Sequence, residues 1–220
     1  MSRSRASATQ RRLDGTSGLG HGAAARKERP MPQLVHFIRH GQSTFNAAWA
    51  ETGRDPGHID APLSPLGHDQ VAQAREALAP VRVDLVITSP LTRALQTTVG
   101  IFGGRGVEMM VTCRHRERLE SSCDLGRSPR ELATDFPHLA FDHLADPWWH
   151  DGPPGEAGVP HEPEDVFETR VAAFAAWLDA RPEASIAVVG HHVFFRSLTG
   201  RPLANCEVLT LAPPVLAAAR

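Results

Sequence analysis

Short apolar runs alternate with longer amphipathic stretches along most of this 220-residue chain, after a polar leader of about thirty residues. The first run, Leu34, Val35, Phe37 and Ile38, lies between Pro32 and Gly41 and has the length and bounding residues of a buried strand. Ser43 is placed to cap a short helix through Ala50. Residues 51–65, rich in Gly, Pro and Asp, predict a loop over the strand ends. Ser64-Pro65 then opens a helix as N-cap and first residue, with an Ala/Leu/Gln/Glu body to Ala79 and a stop at Pro80. A second buried strand is predicted over 83–88, and Ser89-Pro90 starts the next helix, with Arg93 in its first turn. A shorter strand follows over 108–112. The stretch 113–165 is polar and rich in Pro, His and Gly; it reads as an inserted lid with one small helix near 129–136. Asp165 is expected to cap an amphipathic helix through Leu178, with Val166, Val171, Phe174, Trp177 and Leu178 as its inner stripe. Residues 186–189 form a strand that ends at Gly190, His191 and His192, and 207–211 add an edge strand. Strands alternating with helices predict an α/β fold, a three-layer α/β/α sandwich with a mainly parallel sheet.

Composition refines this picture without changing it. Hydrophobic residues make up 41% and charged residues 22%, as in a globular protein. The formal charge of −2 gives no reason to expect nucleic acid or an anionic membrane as partner. Residues 1–30 nevertheless hold seven basic groups against two acids, which leaves 16 basic and 23 acidic groups, a formal −7, for residues 31–220. The chain is therefore expected to be a disordered basic tail, 1–30, followed by one domain, 31–220. Lys27 is the only lysine, so every cation of the body except histidine is an arginine, a residue suited to bidentate phosphate contacts. Cys113, Cys123 and Cys206 show no C-x-x-C spacing and read as reduced thiols of a cytoplasmic protein. No apolar run approaches the ~18 residues of a membrane span. Oligomeric state leaves no mark on the sequence.

Three predicted strand-to-helix junctions carry chemistry: Arg39-His40, Ser89 through Arg93, and Gly190-His191. In a parallel sheet such junctions share one edge, where ligands bind beyond the carboxyl ends of the strands. Two arginines and two histidines there would cradle a tetrahedral dianion, with N–H groups of the following helices adding to it. Each residue alone has a blander reading: Arg93 as a helix surface group, His191 as a hydrogen-bonded strand end. Their joint occurrence favours the pocket.

In sequence, Arg39-His40-Gly41 with Gln42-Ser43 and Asn46 resembles the phosphate-binding motif of the histidine phosphatase superfamily, which includes the cofactor-dependent phosphoglycerate mutases. Ser89-Pro90-Leu91-Thr92-Arg93-Ala94-Leu95-Gln96-Thr97 is similar to the segment that supplies the family's second arginine. Val188-Val189-Gly190-His191 is similar to the one carrying its second histidine, and Leu63-Ser64-Pro65-Leu66-Gly67 to its helix start. The likeness covers roughly residues 33–200 and is weakest in the lid. It implies a phosphoglycerate mutase-like fold and a phosphatase that hydrolyses a small phosphorylated metabolite. His40 would form a phosphohistidine, and Arg39, Arg93 and His191 would neutralise the equatorial oxygens. Asn46 is a further candidate phosphate ligand, although its place in the first turn of a helix explains it equally.

A carboxylic acid must protonate the leaving alkoxide. By position in the family it falls in Arg116-Glu117-Arg118-Leu119-Glu120, where Glu117 matches best and Glu120 competes. His192, where the family usually has a small residue, is expected to pack or to support the site. Trp148-Trp149 would pack at an edge of the core rather than stack on substrate. Twelve histidines raise metal catalysis as a rival, but no H-E-x-x-H spacing is present and phosphohistidine chemistry needs no ion, so no metal or other cofactor is expected. Two further rivals are a mutase, which returns the phosphoryl group to its substrate in a site closed to water, and a non-catalytic phosphate-binding module. The body is short for the classical mutases, and 113–165 does not resemble their substrate segments, so hydrolysis is the leading expectation.

Overall fold

The computed structural model describes residues 33–155 and 158–215; the expected tail, 1–30, lies outside them. Five strands form one sheet: β1 (Leu34–Arg39), β2 (Leu85–Thr88), β3 (Glu108–Val111), β4 (Ser185–Gly190) and β5 (Val208–Leu211). Their order is β3-β2-β4-β1-β5, parallel except for β5, which pairs antiparallel with β1 at the edge. Six helices accompany them: α1 (Thr44–Thr52), α2 (Pro65–Leu78), α3 (Thr92–Phe102), α4 (Pro129–Asp135), α5 (Glu164–Asp179) and α6 (His192–Thr199).

The strands are apolar on both sides because both faces are covered. One face packs Val35, Phe37, Ile87 and Val188 against Phe167, Phe174 and Leu178 of α5 and Phe194 and Phe195 of α6. The other packs Ile38, Val86 and Val189 against Val71 and Leu78 of α2 and Ile101 and Phe102 of α3. This is the α/β layering that the alternation of elements predicted. Among the described residues no helix is long and apolar enough to cross a membrane.

Two boundaries differ from the sequence expectation. Helix α3 begins at Thr92 rather than at Ser89-Pro90, and its N-cap, Leu91, supplies no side-chain bond. Asp60, 32 residues upstream, does so instead: it accepts from Thr92 N at 2.8 Å and from the Thr92 hydroxyl. In α5 the inner stripe holds Phe167 at 1% exposure, whereas Val166 is 42% exposed, and Asp165 lies inside the first turn behind an N-cap at Pro163. The helix therefore starts earlier than expected, and its apolar stripe follows Phe167, Val171, Phe174 and Leu178, a phase from which Val166 is one residue displaced.

Gly41 matters for close approach rather than for turning. A Cβ there would lie 2.7 Å from Gly67 O, and one on Gly67 would lie 2.0 Å from Gln42 O. The glycine pair lets the start of α2 press against the loop after β1, and Ser64 Oγ completes the contact with a 2.7 Å bond to Gln42 Oε1. Between β3 and α5, residues 126–149 pack Leu132, Leu139, Phe141 and Trp148 against Leu91, Leu95 and Val111. Trp148 is buried, and its indole N–H donates to Arg127 O at 2.9 Å. Residues 116–124 instead turn toward the carboxyl edge of the sheet.

Candidate active site

Strand order is what gathers the chemistry. β4 lies between β1 and β2, with Arg39 opposite Gly190 and Thr88 opposite Val189. His191, one residue past β4, is thus flanked by His40 from β1 and Arg93 from the start of α3. The ring centroids of His40 and His191 are 5.3 Å apart. Arg39, His40, Arg93, Asn46 and Glu117 line one cavity of about 430 Å³, a size suited to a small organic ligand. His191 is fully buried beneath them, and among the described residues neither of its ring nitrogens has a hydrogen-bond partner.

The geometry sets the tautomer of His40. Arg93 Nε–H points at His40 Nε2 at 3.2 Å, so Nε2 is the acceptor and carries the lone pair. Nδ1–H then donates to Gly41 O at 2.7 Å. Burial first, then the Arg93 and Arg39 charges, hold the His40 pKa well below its ordinary value of 6.5. Burial and Arg93 do the same for His191, and burial lowers His115 to about 4. A neutral imidazole is the form that presents a nucleophilic nitrogen.

These three histidines bear on stability. In the unfolded chain each titrates near 6.5; in the fold each stays neutral to lower pH, so its contribution is present above about 6.5 and is lost as pH falls. Acidification from pH 7.5 to 5.5 therefore costs stability at each of them. Burial pushes the Asp124 carboxyl the other way, up to about 6, so its contribution is lost as pH rises through about 6 and grows on acidification. The expected result is lower stability at pH 5.5 than at pH 7.5, measured by urea denaturation at the two pH values. Equal stability at both would contradict the buried neutral assignment.

Arg93 is clamped. Its Nη1–H donates to Cys123 O at 2.5 Å and its Nη2–H to Asp124 Oδ1 at 2.9 Å, with both side chains buried. Asp124 Oδ2 accepts from the backbone N–H of Ser121 at 3.1 Å and of Glu120 at 3.3 Å. Burial opposes the guanidinium charge, but Cys123, Asp124, Glu117 and Asp60 outweigh it and raise the Arg93 pKa. Three of its five N–H groups are committed, leaving two for a ligand. Sequence reading passed over Asp124. The only signal was its place seven residues after Glu117, and pairing it with Arg93, 31 positions earlier, needs the fold. Arg39 donates through Nη1 to Leu203 O at 2.9 Å, while its buried Nε has no partner among the described residues.

Glu117 occupies a definite position. Its oxygens accept from Val193 N and Phe194 N, each at 3.0 Å, and from Arg118 N at 3.1 Å, so it caps α6 from 76 and 77 residues away. Glu120 sits at the mouth, its side chain 40% exposed and 3.2 Å from Arg118 Nε. Asn46 Oδ1 accepts from Ser43 N at 3.2 Å as part of a capping box, and the residue also lines the cavity. His192 faces the cavity with Nδ1 3.3 Å from Leu203 O. Trp148 and Trp149 do not line it; Trp49 does, a tryptophan that sequence reading did not single out. Among the described residues no group of three or more His, Cys, Asp or Glu side chains is placed to hold a metal ion.

A mainly parallel sheet in this order, with two arginines and two histidines at its carboxyl edge, defines a phosphoglycerate mutase-like α/β protein. The chain belongs to the histidine phosphatase superfamily (branch 1), whose profile matches residues 35–210. A glucosyl-3-phosphoglycerate phosphatase of Mycolicibacterium vanbaalenii is 38% identical over 178 residues, covering 79% of this chain and 77% of that protein. A phosphoglycerate mutase-like protein of Arabidopsis thaliana is 28% identical over 208 residues, covering 76% and 73%. Among solved structures, the alpha-ribazole phosphatase of Shigella flexneri shares the fold with a TM-score of 0.56 at 20% identity, covering 86% of this chain and all of that one.

Proposed function

We propose that this chain hydrolyses the phosphomonoester of a small metabolite through a phosphohistidine on His40. The observation that carries the reading is the tautomer: Nδ1–H is bound by Gly41 O, so Nε2 carries the lone pair, held by Arg93 Nε–H, and His40 lines a cavity together with two arginines. Nε2 attacks phosphorus in line, the P–O bond to the alcohol breaks, and its electron pair leaves with the alkoxide. Arg93 Nε–H, now on Nε2, exchanges that bond for a phosphoryl oxygen as the lone pair is used. Arg39 and the two remaining N–H groups of Arg93 neutralise the equatorial oxygens together with His191, and Asn46 adds a donor through Nδ2. Asp124 is the anchor that orients Arg93.

Glu117 protonates the leaving oxygen, then takes a proton from the water that attacks phosphohistidine. Its support over Glu120 is proximity to the cations: the charges of Arg39 and Arg93 both respond to Glu117, whereas Glu120 stands at the solvent edge.

Release of inorganic phosphate from a panel of phosphorylated metabolites, with and without 2,3-bisphosphoglycerate, tests the reaction. Phosphate release with no isomer interconversion is the expected result; interconversion would make the chain a mutase. On the same panel, Glu117→Gln should slow alkyl phosphates by about 10²-fold or more and aryl phosphates much less, because a good leaving group needs little protonation. The same pattern in Glu120→Gln would move the acid to that residue.

A further inference from the structure

The cavity is larger than a phosphoryl group needs, and its two ends differ. Arg93 and His40 are each only 3% exposed and form the floor, whereas Trp49 is 47% exposed and the Glu120 side chain 40%. Both aligned cations, Arg39 and Arg93, belong to the phosphate end. The outer wall holds the Trp49 indole, stacked on Phe45 with centroids 5.8 Å apart and planes at 17°. Phe45 also lines the cavity, and Ser121 and Glu120 complete its polar side. Glu120 is not neutralised by its partner, since Arg118 is shared with Glu164 at 2.5 Å and two carboxylates therefore face one guanidinium.

We infer that this outer wall is a leaving-group subsite for an uncharged, ring-bearing alcohol, which packs a flat face on Trp49 and donates hydroxyls to Glu120 and Ser121. Aromatic faces attract planar and C–H-rich rings, and a carboxylate accepts hydroxyl donors but repels a second anion. A substrate with a carboxylate or second phosphate near the ester would meet Glu120 where it needs a cation. The inference rests on the phosphatase reading above and narrows its substrate class.

Three primary alkyl phosphates test it. Glycerol 1-phosphate and 3-phosphoglycerate share a skeleton and differ by a carboxylate, while benzyl phosphate adds an uncharged ring. The expected order of kcat/KM is benzyl phosphate, then glycerol 1-phosphate, then 3-phosphoglycerate, with the ring worth about 3- to 10-fold. Trp49→Ala should collapse the benzyl-to-glycerol ratio through KM, and Trp49→Phe should restore most of it. Glu120→Gln should raise the 3-phosphoglycerate-to-glycerol ratio several-fold. A wild-type preference for 3-phosphoglycerate, or a benzyl ratio indifferent to Trp49→Ala, would overturn the subsite while His40-dependent hydrolysis of 4-nitrophenyl phosphate left the phosphatase reading standing. Failure to hydrolyse any phosphomonoester would overturn both.

Discussion

His40→Ala lowers turnover of 4-nitrophenyl phosphate by about 10⁴-fold or more, the scale seen when a covalent nucleophile is removed. The methyl group left behind has no atom to carry the phosphoryl group, and an aryl leaving group removes any masking by the general acid. The fold should survive. His40 contributes two side-chain bonds, to Gly41 O and from Arg93 Nε, and contact with His191, while the backbone bond His40 N to Gly190 O at 2.9 Å and the bond Asn205 Nδ2 to His40 O at 2.9 Å remain. Thermal unfolding within a few degrees of wild type, together with acid-labile ³²P present on wild type and absent from the variant, would establish the role. Undiminished turnover would remove His40 from the mechanism.

Asp124→Asn is expected to strike catalysis while leaving the fold in place. The Arg93–Asp124 pair is buried on both sides. Burial raises the Asp124 pKa to about 6, so the fold accepts a neutral side chain here, and Asn keeps the Oδ1 acceptor; urea denaturation should show little change in stability at acidic pH. Catalysis should fall by about 10²-fold, the penalty for misplacing a group by roughly an ångström, because Cys123 O alone no longer fixes the guanidinium plane. In the wild-type enzyme the required form is the carboxylate, so kcat/KM should drop as pH falls through about 6; in the variant this dependence should vanish. That profile separates a role in orienting Arg93 from a purely structural one. A wild-type acid limb retained unchanged in the variant would assign it to another group.

Particular residues show how much of this was legible in the chain. Strands such as 34–38 and 186–189 announce themselves because short apolar runs buried on both faces have few other fates, and Ser64-Pro65 marks its helix through local capping chemistry alone. Where a cap comes from afar, local signals mislead. Ser89-Pro90 looks like a helix start, but Asp60 shifts it to Thr92, and α6 takes its cap from Glu117. The buried stripe of α5 runs through Phe167, Val171, Phe174 and Leu178 at four-, three- and four-residue spacing, and Val166, one residue off that phase, points outward.

The sequence by itself determined which groups are available: one arginine-histidine pair after the first strand, a second arginine and a second histidine after later ones, on an α/β alternation that must put all three junctions at one sheet edge. Only the tertiary structure decided that β4 enters between β1 and β2, which sets the two imidazoles 5.3 Å apart and brings Arg93 Nε to His40 Nε2. The same holds for Asp124 against Arg93, for Glu117 on α6, and for Trp49 rather than Trp148 at the cavity wall. The physical reason is common to all of them. Strand and helix formation depend on near neighbours along the chain, whereas strand order and the pairing of buried charges depend on residues tens of positions apart, which meet only when the core closes.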